Sequence, residues 1–501
     1  MGLLPLKDAL DGKVITRFPP EASGFLHLGH IKALLLNYCY AKQYNGKLIL
    51  RFDDTNPDKE NVVYEQAIMD DIQTLGLSYD IQTYASDYFD RIIELAIELI
   101  KKGLAYVDFS TQETIEQNRI QFIPSQYRDT NIDTNRKLFQ QMLIGDNKNG
   151  CLRAKIDYTS KNGCMRDPVI MRPKNRSHPR QGTKYCIYPT YDFACPILDA
   201  LEGVTHAMRS VEYKDRDAQY EWFLDRLGLK NGLYPIILNY GKLSFTHTVL
   251  SKRKLAKLID TNFVDGWSDP RLPTIRGILR NGMQVKPLLD YIQTQILSKN
   301  IVLLNWDKLW HTNAVYLDKS SLRLFGLGPN MRKVILTGDF PTFVNLPDHP
   351  KDISTGTREI KLTSQLIVNS DDFSNVAIGT RYTLIGLGNT TVTDINPLTL
   401  QYNRDDNDYK STMKITWLPD DNRNILATVK TYSLLLNKPK PEKNDDIVEI
   451  FNSNSLSEHL LLVENSIKNI PVRTTIQIMR LGYCYLERND DEVILHKIPS
   501  K

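Results

Sequence analysis

Cysteine is scarce in this chain, with six residues in 501, and no two of them form a C-x-x-C pair. Cys39, Cys151, Cys164, Cys186, Cys195 and Cys484 are scattered, which suits reduced thiols and argues against a disulfide framework or a zinc site. Long apolar runs are missing too: none approaches the roughly 18 residues that suggest a membrane-spanning helix. The opening MGLLPLKDALDGK lacks the basic start, long apolar centre and small-residue cleavage site of a secretory signal. The expected setting is therefore the cytosol, without a membrane partner. Net charge is small, only +4, too little to imply a polyanionic partner by itself. With 41% hydrophobic and 24% charged residues, the chain has the make-up of an ordered protein of two to four domains.

What is present is concentrated near the start. Residues 16–60 read TRFPPEASGFLHLGHIKALLLNYCYAKQYNGKLILRFDDTNPDKE. A β-prone run over 13–18 must end at Pro19 and Pro20, which cannot donate to a ladder. Ala22, Ser23 and Gly24 are small enough for a ligand to approach the backbone. His27-Leu28-Gly29-His30 then leads into a helical pattern over 31–44. A helix start of this kind presents free N–H groups and a positive dipole end, so the expected guest is an anion, a nucleotide above all. Residues 47–52 read as a buried strand, and Asp53 and Asp54 follow at its carboxyl end, where open α/β sheets bind ligands and where carboxylates can hold an ammonium.

Further along, 62–77 and 88–103 have helical spacing, the latter ending at Gly103. Residues 101–190 hold 16 Lys plus Arg against 8 Asp plus Glu, so this segment carries +8 and the remainder −4. Such a basic block offers either a solvated face or phosphate contacts for RNA. Within it, 150–157 and 168–172 look β-like and 174–182 reads as a basic loop. Tyr188, Tyr191 and Phe193 alternate as a strand and its exit would, before a short apolar helix and the polar cluster 202–209. Helical spacing over 218–228 and a β run over 234–239 precede Thr248-Val-Leu-Ser-Lys-Arg-Lys254, which reads as a lysine-rich loop. Helical patterns follow at 285–298 and 305–316, with 266–282 forming a compact α subdomain with the first of them. From residue 326 short β-prone runs (332–337, 359–362, 377–387, 413–417, 425–432, 477–486) alternate with Asp, Asn, Gly and Pro clusters, the pattern of a sandwich or barrel. Residues 438–446 look like an exposed loop, and the closing VILHKIP is again β-like.

Taken in order, Arg17-Phe-Pro-Pro, the His27-x-Gly29-His30 step, the RFDDTNP strand exit and the Ser251-Lys252 pair resemble the class I aminoacyl-tRNA synthetases of the glutamyl and glutaminyl group. The resemblance covers essentially the whole chain. It implies an α/β Rossmann-like catalytic domain with an α/β insertion, an α-helical subdomain and C-terminal all-β anticodon-binding barrels. The implied boundaries are 1–100 for the first catalytic half, 101–184 for the insertion gripping the tRNA acceptor end and 185–260 for the second half. The helical subdomain then takes 261–325 and two barrels 326–501. It also implies that Pro19, His27, Gly29, His30, Ser251 and Lys252 bind ATP, with His27, His30 and Lys252 catalytic. Arg17, Asp53, Tyr191, Cys195 and Arg209 would line the amino-acid pocket.

Glutamate and glutamine are nearly isosteric, so the pocket must read charge, and a guanidinium pairs with a carboxylate through charge-assisted hydrogen bonds. Thr205-His206-Ala207-Met208-Arg209 puts an arginine where the glutaminyl branch has an uncharged residue. EYKDRDAQYEW (212–222) and PTIRG (273–277) also resemble glutamyl enzymes. The implied activity is glutamate activation by ATP and transfer to the 3′ end of tRNA(Glu), with magnesium accompanying ATP through ligands that the sequence does not reveal. Activation is expected to require bound tRNA, and neither a protein metal site nor a DNA partner is expected. Docking to a multi-synthetase assembly is not expected either, since no appended N-terminal domain precedes the first strand. The competing readings are a glutaminyl enzyme and a non-catalytic tRNA-binding paralogue. Val249-Leu250, in place of Lys-Met before Ser251-Lys252, points to the eukaryotic and archaeal branch.

Overall fold

A computed structural model describes residues 3–58, 61–229, 235–296, 302–490 and 492–499. Glu60, Tyr234 and the end of the expected 285–298 helix lie outside the described residues. The chain divides into two compact units, the first being residues 1–244 with 250–252 and 292–304, the second 245–249, 253–291 and 305–501.

The first unit begins β1 (Ile15–Phe18), α1 (Leu28–Gln43), β2 (Lys47–Phe52), α2 (Val62–Thr74), β3 (Ile81–Tyr84). β1 pairs with β2 and β2 with β3, all parallel. β2 is buried along five of its six residues, as a parallel strand covered on both faces should be. Next comes α3 (Phe89–Lys101), whose Phe89, Ile92, Leu95, Ala96, Leu99 and Ile100 form one buried stripe. It stops at Gly103, whose φ of +67° is the left-handed conformation that ends helices.

The insertion is β4 (Ala105–Asp108), α4 (Gln112–Gln121), α5 (Ile132–Leu143), β5 (Cys151–Ala154), β6 (Val169–Pro173) and β7 (Ile187–Pro189). Its strands make a four-stranded antiparallel sheet in chain order. The chain then resumes the parallel pattern with α6 (Tyr191–Leu201), β8 (His206–Ser210), α7 (Asp217–Arg226) and β9 (Ile236–Tyr240), β8 and β9 being parallel. β1 lies beside β8: Thr205 N–H donates to the Ile15 carbonyl and the Thr205 hydroxyl accepts from Ile15 N–H, both at 2.9 Å. The strand order is thus β3-β2-β1 followed by β8-β9, and it reverses between β1 and β8.

Several expectations change here. Tyr191 and Phe193 sit on α6, not on a strand exit, because the chain turns at Thr190 directly after Pro189. The polar stretch ending at Arg209 is strand β8, buried at His206, Ala207, Met208 and Arg209. The lysine-rich segment is helical from Lys252 onward, as α8 (Lys252–Asp260). Much of the insertion's positive charge is also spent within the unit: Arg153 pairs with Asp108 (2.7 Å), Arg128 with Asp167 (2.6 Å), Lys184 with Asp90 (2.8 Å), and Lys174 with Asp58.

The second unit contains helices Ile275–Arg280 and Trp306–Leu317 and two seven-stranded sheets. In one sheet the edge strands are Met413–Ile415 and Trp417–Pro419, and in the other Leu322–Leu324 and Gly326–Leu327. Each pair of edges is separated by one residue of chain, so each sheet curls back on itself into a nearly closed barrel whose edge strands are only two or three residues long. Gly326 makes one closure possible, since a Cβ there would lie 2.7 Å from the Ile478 side chain. The expected run 413–417 is therefore two strands on opposite edges. The run 477–486 is a hairpin of Thr475–Ile478 and Gly482–Asn489 rather than one strand, and 377–387 supplies only Arg381–Leu384.

Candidate active site

The strand order reverses between β1 and β8, and it is in the crevice at the carboxyl ends of the strands beside such a reversal that open α/β sheets bind ligands. One end of it is built by α1. His27 is the N-cap: its Nδ1 accepts from Gly29 N–H at 3.1 Å, while His30 Nδ1 accepts from His27 N–H at 3.1 Å. This reciprocal cap fixes both tautomers, leaving each ring with its proton on Nε2. The rings stack, with centroids 3.7 Å apart. Burial, with the Lys252 and Lys242 cations nearby, lowers the His27 pKa to about 3. Burial also pushes His30 well below the ordinary histidine value. Two neutral N–H donors are thus held at a helix N-terminus.

Gly29 serves this cap. A Cβ at that position would stand 3.0 Å from His27 Cε1 and 3.3 Å from Leu250 Cδ1, so the space it leaves is taken by the folded-back imidazole. Lys252 Nζ donates to the Glu21 carbonyl (2.9 Å) and to the Ser23 hydroxyl (3.3 Å), across the small-residue loop that follows Pro19 and Pro20. Pro19 is half-buried at the end of β1, and Ser251 is exposed just before α8. Lys32, two residues after His30, is buried and donates to the Gly241 carbonyl at 2.6 Å, tying α1 to the end of β9.

The other end is ionic. Arg17, on β1, is 1% exposed. Its Nε donates to both oxygens of Asp199 (3.0 and 3.2 Å), and its Nη1 donates to the Met208 carbonyl (2.9 Å). Arg51, on β2, donates to the same Asp199 (2.5 Å) and to Glu202 (2.7 Å), and the Tyr220 hydroxyl donates to Asp199 at 2.8 Å. Two guanidiniums and two carboxylates thus balance inside the protein. Burial opposes the Asp199 charge, yet Arg17 and Arg51 outweigh it and hold the pKa at about 2. Cys195 Sγ lies 3.8 Å from Asp199 and 3.9 Å from Arg17 Nη2, and Tyr191 packs on the Cys195–Tyr220 cluster.

Arg209, 4% exposed, is no surface arginine. Its Nη1 donates to Asp217 Oδ1 at 3.0 Å, its Nε is buried without a hydrogen-bond partner, and the Tyr213 and Tyr220 rings lie 5.5 and 5.1 Å away. Asp53 follows β2 and accepts from the Thr55 hydroxyl at 2.9 Å. Burial raises its pKa to about 6 against the lowering effects of Thr55 and Arg51.

The expected residues therefore fall into two groups: His27, Gly29, His30 and Lys252 around the α1 cap, and Arg17, Tyr191 and Cys195 around Asp199. Arg17 is committed to Asp199 and the Met208 carbonyl, whereas Arg209 keeps a buried Nε without a hydrogen-bond partner. Sequence reasoning missed Asp199, Arg51, Glu202 and Lys32. It also missed the pinning of Asp54 by the insertion, where His178 Nε2 lies 2.8 Å from the Asp54 carbonyl. The one available signal was the charge of Arg51 in the otherwise apolar run that follows Lys47 in β2. Among the described residues no group of three or more His, Cys, Asp or Glu side chains gathers to hold a metal ion.

A family profile described as tRNA synthetases class I (E and Q), catalytic domain, matches residues 13–319, and two anticodon-binding profiles of the same family match 321–403 and 414–487. A probable cytoplasmic glutamate–tRNA ligase of Enterocytozoon bieneusi is 42% identical over 95% of this chain and 76% of the relative. One from Schizosaccharomyces pombe is 38% identical over 99% of this chain and 71% of the relative. The bifunctional glutamate/proline–tRNA ligase of Drosophila melanogaster is 41% identical over 94% of this chain, which spans only 28% of that protein.

Proposed function

The chain belongs to the class I tRNA synthetases for glutamate and glutamine, and on that premise we propose that it is a cytoplasmic glutamate–tRNA ligase. It joins L-glutamate to tRNA(Glu) at the expense of ATP. The observation that carries the choice of amino acid is Arg209, a buried guanidinium on β8 with an unused Nε.

Activation forms a bond between the glutamate α-carboxylate oxygen and the α-phosphorus of ATP and breaks the bond to the β-phosphate, releasing pyrophosphate. No general base is needed, because the nucleophile is already an anion. Charge grows on the departing phosphates, so the Nε2–H groups of His27 and His30 and the Lys252 ammonium stabilise the transition state more than the ground state. The neutral imidazoles act as donors and not as acids. Lys252 reaches the phosphates by leaving the Glu21 carbonyl. The Asp53 carboxylate offers a partner to the substrate ammonium, and Arg209 pairs with the side-chain carboxylate. In the second step the terminal adenosine hydroxyl attacks the adenylate carbonyl and releases AMP. Magnesium accompanies ATP.

The testing experiment is ATP–pyrophosphate exchange with glutamate and with glutamine separately, each with and without total tRNA. Exchange with glutamate alone, dependent on tRNA, is expected. Exchange with glutamine would move the protein to the sister enzyme, and none with either would favour an RNA-binding paralogue.

A further inference from the structure

Arg209 does not wait unpaired for its substrate. It already holds Asp217, the first residue of α7, at 3.0 Å, and Asp217 Oδ2 in turn accepts from Asn239 Nδ2 at 2.9 Å. Asn239 stands directly opposite Arg209 in the β8–β9 register, so strand pairing fixes both members that grip Asp217.

We propose that Asp217 is a displaceable counter-ion, a positioning residue whose carboxylate occupies Arg209 until the side-chain carboxylate of the amino acid replaces it. This rests on the glutamate-ligase reading above.

The exposures decide which partner moves. The Arg209 side chain is 3% exposed and Asp217 is 21% exposed. A carboxylate at the partly open start of a helix rehydrates easily and stays favoured there by the helix dipole, whereas a buried guanidinium left alone bears a full desolvation penalty. If both carboxylates stayed on one guanidinium, the site would carry a net negative charge in a poorly hydrated place. Exchange of one carboxylate for another keeps it neutral.

Selectivity follows from the exchange. A substrate carboxylate can take the place of Asp217, while a neutral amide cannot compete for an arginine that already has an anion. Asp217 therefore weakens glutamate binding by competition and excludes glutamine more strongly still. The neighbourhood links this device to the insertion, since Asn162 Nδ2 donates to the Asp215 carbonyl at 2.6 Å, two residues before Asp217.

The test is tRNA-dependent ATP–pyrophosphate exchange with the full chain, comparing wild type, Asp217→Asn and Asp217→Glu. Removing the competing charge with an isosteric amide is expected to lower the KM for glutamate at least threefold, with kcat moved far less. Glutamine should become a measurably better competitor, and Asp217→Glu should return KM toward the wild-type value. An unchanged or raised KM in Asp217→Asn, with wild type active, would overturn the proposal and leave the ligase reading standing. Lack of glutamate-dependent exchange in wild type would overturn both. Should Asp217→Asn fail to fold, inhibition of the wild type by glutamine decides: a Ki close to the glutamate KM would contradict an arginine guarded by a resident anion, and a Ki at least a hundredfold higher would support it.

Discussion

The two ends of the crevice handle charge in opposite ways. At the nucleotide end, where a polyanion is expected, the α1 cap presents two imidazoles that burial keeps neutral, and the nearby cation, Lys252, is parked on the Glu21 carbonyl. At the amino-acid end, where a small zwitterion is expected, Arg17 and Arg51 are already matched to Asp199 and Glu202 in buried ion pairs. A large, multiply charged ligand brings its own field and needs donors that are aimed and cheap to desolvate. A ligand differing from its rival by one charge is best read against a fixed ionic frame, beside which Arg209 keeps a buried Nε without a hydrogen-bond partner. The same contrast separates Arg17 from Arg209: both are buried, but Arg17 is paired with Asp199, deep inside, while Arg209 is paired with the more exposed Asp217.

Breaking the ionic frame should cost most. Asp199→Asn leaves the buried Arg17 without a carboxylate and Arg51 with Glu202 alone, and a loss of roughly 3–5 kcal/mol in stability is expected, read as a fall in urea midpoint at constant slope. Acid acts in the same direction. The Asp199 pKa is lowered to about 2 in the folded protein, so its contribution is complete above the unfolded value near 4 and is lost as pH falls toward about 2.

Disabling the nucleotide end leaves the fold but slows chemistry: Lys252→Ala should cost about 10²–10³ in kcat for pyrophosphate exchange, with the thermal midpoint little changed. A smaller effect sharpens the comparison through pH. Asp53 titrates near 6 because burial raises it, and only its charged form can hold an ammonium. Thus kcat/KM for glutamate should fall by up to about tenfold per unit below pH 6. This inflection should disappear in Asp53→Asn, and a flat profile to pH 5 in wild type would contradict it. The histidines do not contribute such a step, since His27 stays neutral to about pH 3. The smallest change is expected from Gly29→Ala, whose Cβ pushes the His27 ring from 3.0 Å. About 1 kcal/mol of overpacking should appear as a several-fold loss of exchange activity.

How much of this could be read beforehand follows the same division. The nucleotide end is local: Pro19, Gly29, His27 and His30 lie within 12 residues, so chain order shows the turn and the helix start, though not the reciprocal cap that the two rings make. The ionic frame is not local. Arg17 and Arg51 meet Asp199 across 182 and 148 residues of chain. Asp199 sits on an otherwise apolar helix face, where it resembles a solvent-facing residue. Arg209 was singled out by its residue type at its place in the family pattern, but the strand that carries it was not, because its polar residues mask a period of two. In the barrels, turn residues mark the strands, while the closure depends on three-residue edges such as Met413–Ile415 and Trp417–Pro419 that no periodicity can resolve.

The decisive measurement is the ratio of kcat/KM for glutamate over glutamine in tRNA-dependent pyrophosphate exchange, for wild type and for Arg209→Cys. Loss of a buried charge reader worth roughly 3–5 kcal/mol predicts that the ratio drops several hundredfold or more. A ratio preserved within tenfold would contradict the role of Arg209, and with it the view that this end of the crevice selects its substrate by charge.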